Sequence, residues 1–135
     1  MKSDIDIKDD VYKVIAASEL KSAVTGTICK RERKLYKVGS PYKEDICISI
    51  LSNQTSQKQE AFVNVNIYVQ DEDVNGQMEE KSVRLKELCQ LSFKVFKYVH
   101  GTDFRLSLSK QTVVPNESTN EHIINNKLLY QTTND

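Results

Sequence analysis

Strict alternation of side-chain character marks the stretch Glu60-Ala61-Phe62-Val63-Asn64-Val65-Asn66-Ile67-Tyr68-Val69. Successive side chains of a β-strand point to opposite faces, so this stretch separates into two sets. One face carries Val63, Val65, Ile67 and Val69, and the other carries Phe62, Asn64, Asn66 and Tyr68. The stretch therefore predicts a strand with one apolar face and one mixed polar and aromatic face.

A second strand is predicted at residues 45–51, where Ile46, Ile48 and Ile50 alternate onto one face. We expect it to pair with residues 60–69 as an antiparallel hairpin, although the long polar connection between them leaves the register open. Further extended segments are predicted at residues 27–30, 103–109, 113–115 and 123–133.

Helical periodicity marks two regions. The first begins near Asp9, and its apolar stripe continues to Gly26, so the pattern allows one helix or two short ones. The second is predicted at residues 78–99, with His100 expected to cap its last carbonyls. The acidic residues 70–77 between strand and helix are interpreted as a loop, and the sequence leaves open whether this loop is ordered before assembly or only on binding.

This order of elements indicates an α+β fold. An antiparallel (mixed) β-sheet with two main helices packed on one face fits it best, because parallel βαβ units would need more helices between the strands. A chain of 135 residues suits a single domain, spanning residues 1–135.

Charge and composition exclude several classes of function. Lys plus Arg and Asp plus Glu both number 19, which argues against a dedicated nucleic-acid or membrane-surface binder. Residues 1–10 lack the apolar core of a secretory signal, and no apolar run is long enough to span a bilayer. The sequence therefore predicts a soluble protein that is made in a cytoplasm.

No constellation of catalytic or metal-binding residues is recognisable. Cys29, Cys47 and Cys89 form no CxxC pair and are interpreted as small buried side chains. His122 is expected on the surface or in a turn, and the carboxylate runs are expected to be solvated. We therefore predict no catalytic residue, no cofactor, no metal and no enzymatic activity. A ligand-binding domain with a pocket between helix and sheet is the alternative, for which the buried helix face offers only Cys89 and Ser92.

Two features predict contact with other proteins. The first is a basic run whose composition, with Glu32 inside it, favours a solvated or interface loop over a phosphate site. The second is the polar strand face, because asparagine is a poor strand former and aromatic residues are favoured at interfaces. The predicted interface residues are Lys30, Arg31, Arg33, Lys34, Lys37, Phe62, Asn64, Asn66 and Tyr68.

The order of these segments resembles the tail-completion (tail terminator) and head–tail joining proteins of tailed bacteriophages. The resemblance rests on five segments: the opening helix with Asp10-Val11-Tyr12, the strand after Lys43-Glu44-Asp45, residues 62–69, the helix around residues 85–99, and residues 120–130. It covers most of the chain but includes no diagnostic motif. The acidic segment 70–77 and the polar turn 115–120 depart from an easy match.

The resemblance implies a structural role. Such proteins assemble as rings, commonly hexamers, on the head-proximal end of the tail tube, where they stop tube growth and bind the head connector. DNA passes through the lumen without being read. This chain would then be a virion protein of the tail or neck, assembled in the host cytoplasm, with copies of itself, tail tube protein and head connector proteins as partners and with no membrane contact. A head-side connector ring, a monomeric adaptor and a small non-viral protein-binding domain are the alternatives.

Overall fold

The computed structural model describes residues 1–37, 40 and 42–133. The helices are α1 (Asp4–Ala16), α2 (Glu19–Ala23) and α3 (Ser82–Phe96), with a 3₁₀ turn at Glu117–Thr119. The strands are β1 (Ile28–Cys29), β2 (Ile46–Gln54), β3 (Glu60–Gln70), β4 (Glu72–Val74), β5 (Gln77–Glu79), β6 (Val99–His100), β7 (Phe104–Asn116) and β8 (Glu121–Thr132).

Six strands form one sheet in the order β1-β2-β3-β8-β7-β6. β1 runs parallel to β2 and the other pairs are antiparallel, so the sheet is mixed. This confirms the predicted α+β class. β8 lies between β3 and β7 and pairs with both along most of its length, although it is the last strand in the sequence.

The predicted hairpin is confirmed, with Ile48 opposite Val65 and Ile46 opposite Ile67. β2 continues to Gln54, beyond its predicted end at residue 51, so the connection to β3 shrinks to residues 55–59. Leu51 is the extra residue of a β-bulge in β2, and its apolar side chain is exposed.

The core lies between one face of this sheet and the helices. Ile7, Val11 and Ile15 of α1 are fully buried, and Leu88 and Phe96 of α3 pack into the same cluster. The sheet contributes Ile46, Ile48, Val63, Val65, Ile67, Ile124, Leu128 and Tyr130. The apolar sides of the helices and strands thus meet as the sequence predicted.

Local capping explains where the first helices begin. Ser3 and Asp6 form a capping box, so α1 starts at Asp4, five residues earlier than its apolar stripe suggested. Ser18 accepts a hydrogen bond from the Leu20 N–H and opens α2 as a separate helix. Of the two alternatives that the sequence allowed, the structure has two helices.

The predicted start of the long helix at residue 78 was wrong. Gln77–Glu79 instead pairs with Glu72–Val74 across a turn in which Asn75 and Gly76 have φ of 54° and 84°. Positive φ at both central residues is the requirement of a tight two-residue hairpin turn. The acidic connection is therefore an ordered hairpin, and α3 begins only at Ser82.

The predicted end of that helix was also wrong. α3 stops at Phe96, and Val99–His100 forms β6, opposite Leu106 and Arg105 of β7. His100 therefore does not cap the helix, and its ring packs edge-on against Tyr98 at 4.5 Å.

The two strands predicted around residues 103–115 are one strand, β7, interrupted by a bulge between Leu108 and Lys110. Pro115 does not end this strand, because it lies where β7 has no neighbour other than β8 within the described residues. A missing N–H on an open strand edge removes no ladder hydrogen bond.

Candidate protein-binding face

The sheet face opposite the core carries a row of polar and aromatic side chains and has no helix over it in the described ranges. We call this the open face; its central residues are Phe62, Asn64, Asn66 and Tyr68 of β3, with Asn125 and Lys127 of β8. The alternation predicted for β3 is confirmed, because each of these β3 side chains lies between fully buried neighbours.

Asparagine side chains form a cluster at the centre of the open face. The Nδ2 of Asn125 donates to the Oδ1 of Asn66 at 2.7 Å and to the Oδ1 of Asn64 at 3.2 Å. The side-chain NH₂ groups of Asn64 and Asn66 donate to no protein group in the described part of the chain. The cluster is thus fixed within the sheet and keeps donors for a partner.

A cation–π contact lies beside this cluster. The Lys127 ammonium lies 4.4 Å from the ring centroid of Phe62 on the neighbouring strand. Such a contact holds a positive charge over an aromatic surface, worth about 0.5–1 kcal/mol where it is exposed.

One end of the open face is covered by the segment after β1, and Arg33 fixes this segment to the sheet. Its Nη1 and Nη2 donate to the two carboxylate oxygens of Glu121 at 2.6 and 2.7 Å, and its Nε donates to Asp45 at 2.9 Å. Both carboxylates are fully buried, and the Arg33 side chain is only 14% exposed. The three groups form a buried triad of one cation and two anions.

Tyrosine rings surround the Arg33 guanidinium. Its Cζ lies 4.0 Å from the Tyr68 ring centroid, and Tyr42 and Tyr36 lie at 5.1 and 5.5 Å. The Tyr36 hydroxyl also donates to Asp45 at 2.7 Å. Burial and the neighbouring Asp45 charge raise the pKa of Tyr36 to about 12, so it stays a neutral donor at physiological pH.

The carboxylate of Asp45 remains charged despite its burial. Burial by itself raises the pKa of Asp45, but hydrogen bonds from the Thr27 N–H, Tyr36 and Arg33 outweigh it and hold the pKa below its usual value. The chain must pass close to this carboxylate at Gly26, where a Cβ atom would overlap Asp45 Oδ1 and the Glu44 backbone.

The structure divides the predicted basic run into two groups. Arg33 forms ion pairs with Asp45 and Glu121. Lys30 points toward α1, where its ammonium group lies 3.0 Å from the Asp9 carboxylate and 4.9 Å from the Tyr12 ring centroid. The side chains of Arg31, Lys34 and Lys37 are exposed and form no ion pair within the described residues. The free positive charge of this segment is therefore confined to these three residues.

Two of the cysteines, unremarkable in the sequence, lie side by side. Cys29 of β1 and Cys47 of β2 are directly opposite in the parallel ladder, and both are free thiols. Burial, followed by the contact with Cys29, raises the pKa of Cys47 to about 12. The two cysteines are 18 residues apart in sequence, and their contact depends on the register of β1 and β2, so the sequence alone does not predict it.

His122 joins the β4–β5 hairpin to the sheet. Its Nδ1 lies 2.6 Å from the Asp71 carboxylate, and its Nε2 lies 3.9 Å from Glu80. Within residues 1–37, 40 and 42–133, no group of three or more His, Cys, Asp or Glu side chains is arranged to hold a metal ion. The same ranges contain no helix that is long and apolar enough to cross a membrane.

The two polar residues of the buried helix face serve packing. Ser92 donates to the Leu88 carbonyl at 2.8 Å and accepts from the Nδ2 of Asn126 at 3.2 Å. Asn126 in turn accepts from Gln111 at 2.8 Å, and Gln111 also donates to the Cys89 carbonyl. This network joins α3, β7 and β8 and satisfies its own buried polar groups.

No family model matches the sequence, and none of the curated proteins matches it significantly.

Proposed function

We propose that this protein is a structural subunit that binds other protein surfaces and forms a ring at the head-proximal end of a bacteriophage tail. There it would stop growth of the tail tube and join the tail to the head. The observation that carries the binding part of this proposal is the open face, where the sheet presents aromatic, amide and ammonium groups and no described helix lies over them. The phage part rests on the resemblance of the sequence alone.

The chemistry of the open face favours a protein partner. The side-chain amides of Asn64 and Asn66 donate to no described residue, and Phe62 supplies aromatic surface, whereas the Tyr68 ring is covered by Arg33. Interfaces are enriched in aromatic residues, and a pre-ordered surface loses little conformational entropy on binding. The Arg33 triad contributes by holding the adjacent segment in place before any partner arrives.

Charge distribution supports contact between copies of the chain. The basic residues Arg31, Lys34 and Lys37 are exposed on one segment, and the acidic Glu72 and Glu79 are exposed on the β4–β5 hairpin. A ring requires a heterologous contact, in which two different patches meet, and segments of opposite charge favour such a contact. The zero net charge adds no repulsion between subunits and little retention of DNA in a lumen.

Molar mass in solution is the primary test. Multi-angle light scattering between about 5 and 200 µM should give a species near six times the chain mass of 15.5 kDa, and negative-stain images should show closed rings. Twelve-subunit rings would favour the head-side connector. A strict monomer that also fails to bind purified tail tubes would refute the ring proposal and leave the small protein-binding domain.

A matched pair of variants tests the open face itself. Phe62→Glu places a charge on the open face, whereas Val83→Glu places the same charge on an exposed apolar position of α3. We expect Phe62→Glu to abolish rings or tube binding and Val83→Glu to leave both unchanged. Equal behaviour of the two folded variants would remove the open face from the interface.

A further inference from the structure

A groove runs between α3 and the outer edge of β7, and it extends from the helix side of the sheet to the strand edge at Lys110, which lies opposite Lys127 of β8. Its volume is about 430 Å³, and it is lined by Phe93, Lys97, Leu108, Ser109, Lys110 and Gln111. Gln111 and Leu108 also contact the core, whereas Phe93 and Lys97 are exposed and take no part in the proposed ring contact. Three properties of the groove point to one kind of occupant.

The first property is an unpaired strand edge. β6 pairs with β7 only at Arg105 and Leu106, so within the described residues nothing pairs with the outer side of β7 from Ser107 onward. The Phe104 carbonyl accepts from Gly101 on that outer side, and alternation past the bulge brings the peptide groups of Gln111 and Val113 to it. These groups offer the hydrogen bonds that an added strand would need.

The second property is an exposed apolar floor. The Phe93 side chain of α3 is 50% exposed, and the half-buried Leu108 of β7 lines the same groove. Val113, farther along β7 on the same side of the sheet, is 40% exposed. An extended segment that pairs with β7 would direct alternate side chains onto this apolar surface.

The third property is free positive charge. Lys97 at the end of α3 and Lys110 at the β7 bulge line the groove and form no ion pair with any described residue. Lys94, one turn earlier in α3, is by contrast paired with Glu19 at 2.9 Å. Two unpaired ammonium groups beside an apolar floor favour a segment that carries carboxylates.

The groove is formed before any ligand binds. Gln111 donates to the Cys89 carbonyl of α3 and to Asn126 of β8, so it fixes the distance between the helix and the strand edge. A peptide entering between them would meet a site of fixed width, which reduces the entropy that binding has to overcome.

We propose that this groove binds an extended segment of a partner protein by strand addition to β7. The segment would pair with the peptide groups of Gln111 and Val113, place an apolar side chain against Phe93 and Leu108, and direct carboxylates to Lys97 and Lys110. Strand addition beside a helix gives affinity through the main chain and specificity through alternate side chains. The partner is therefore identified by chemistry, as an acidic and apolar segment that is disordered or at a chain end.

The test begins with a displayed library of randomised twelve-residue peptides, selected on the immobilised protein and counter-selected on Phe93→Ser. We expect enriched peptides to be net negative with apolar residues at alternate positions. The best sequence is then synthesised with a fluorophore, and its affinity is measured by polarisation. Failure to enrich any peptide over the Phe93→Ser counter-selection would overturn the proposal.

Lysine variants and N-methylated peptides distinguish strand addition from nonspecific binding. Lys97→Glu with Lys110→Glu should weaken the peptide by about tenfold or more, whereas Lys86→Glu, an exposed lysine of the same helix, should not. Alternate N–H groups of an extended peptide point to opposite sides, so only one of the two alternating sets faces β7. N-methylation of that set should abolish binding, and N-methylation of the other set should leave binding unchanged. Equal effects of the two sets would refute pairing with β7.

The same variants keep this proposal distinct from the proposed ring. Phe93→Ser should leave the molar mass unchanged while peptide binding is lost, and Phe62→Glu should do the reverse. Concentration-dependent oligomers that Phe93→Ser abolishes would assign the groove to a second copy of the chain and overturn its assignment to a partner segment.

Discussion

Replacing Arg33 by methionine is predicted to destabilise the fold more than any change at the neighbouring basic positions. Methionine keeps part of the volume and the contact with Tyr68 but removes the only cation that faces Asp45 and Glu121 among the described residues. Four hydrogen bonds are lost, including that to the Lys43 carbonyl, and two fully buried carboxylates remain without their counter-charge.

The magnitude follows from the burial of the triad. Removing one partner from a buried ion pair costs about 3–5 kcal/mol, because the remaining charge is left uncompensated. With an unfolding entropy of about 2.1 cal/mol/K per residue, a chain of 135 residues should lose about 11–18 °C in Tm. Lys34→Met, at an exposed position next to it, should change the unfolding free energy by less than about 0.5 kcal/mol.

The loss should depend on pH in a defined direction. In the native protein the pKa of Asp45 is held below its unfolded value, so its contribution is present above about pH 4 and is lost as pH falls through the folded pKa. Without Arg33, the burial of Asp45 favours its protonated form, so the loss of stability in the variant becomes smaller as the pH falls. The difference between native protein and Arg33→Met should therefore be largest near pH 7 and smaller near pH 4.

Urea unfolding monitored by circular dichroism at both pH values measures these differences directly. Pairing Arg33→Met with Glu121→Gln should recover part of the loss, because one of the two uncompensated charges is removed. A loss below about 1 kcal/mol at pH 7, or an equal loss at both pH values, would refute the view that the triad holds this segment on the sheet.

Three further predictions concern single groups. At pH 8 the native Cys47 thiol, whose pKa is raised to about 12 by burial and by Cys29, should react with a disulfide reagent at least about tenfold more slowly than an ordinary cysteine, as followed by mass spectrometry of the labelled peptides; reaction at the unfolded rate would contradict this shift. Gly26→Ala should cost about 1–3 kcal/mol in thermal unfolding, because the new methyl group would overlap Asp45 and the adjacent backbone; a neutral result would show that this loop shifts freely. Tyr130→Phe should cost about 1–2 kcal/mol in urea unfolding by removing the 2.6 Å hydrogen bond to Asp10, and a loss within error would mean that water replaces the hydroxyl.

Sequence patterns predicted those strands and helices that bury one face in the core. The alternation of β3 and the isoleucines of β2 identified both strands and their pairing, because burial on one side imposes a period of two. The β4–β5 hairpin was missed because its strands are three residues long and carry no apolar face. The dipeptide Asn75-Gly76 is typical of a two-residue hairpin turn, but the acidic residues around it led to the prediction of a loop.

The candidate site was predicted in part. The sequence of β3 alone predicted the polar and aromatic face. It did not predict that Asn125 and Lys127 complete this face, because that depends on β8 lying beside β3, and no local sequence pattern indicates this pairing. The Arg33 triad joins residues from three distant segments, so its members resemble ordinary surface charges in the sequence. The one local signal was Asp45, a carboxylate placed directly before a buried strand.

The position of β8 has a consequence for how this domain comes to be folded. Because β8 follows both β3 and β7 in the chain and lies between them in the sheet, β3 and β7 cannot reach their final neighbours until residues 121–132 have been synthesised. Contacts such as that of Ala61 with Tyr130 span large sequence separations, which slows folding. During that interval the exposed edges of β3 and β7 are sites for aggregation, so chaperone dependence during synthesis should be greater than the size of the domain suggests.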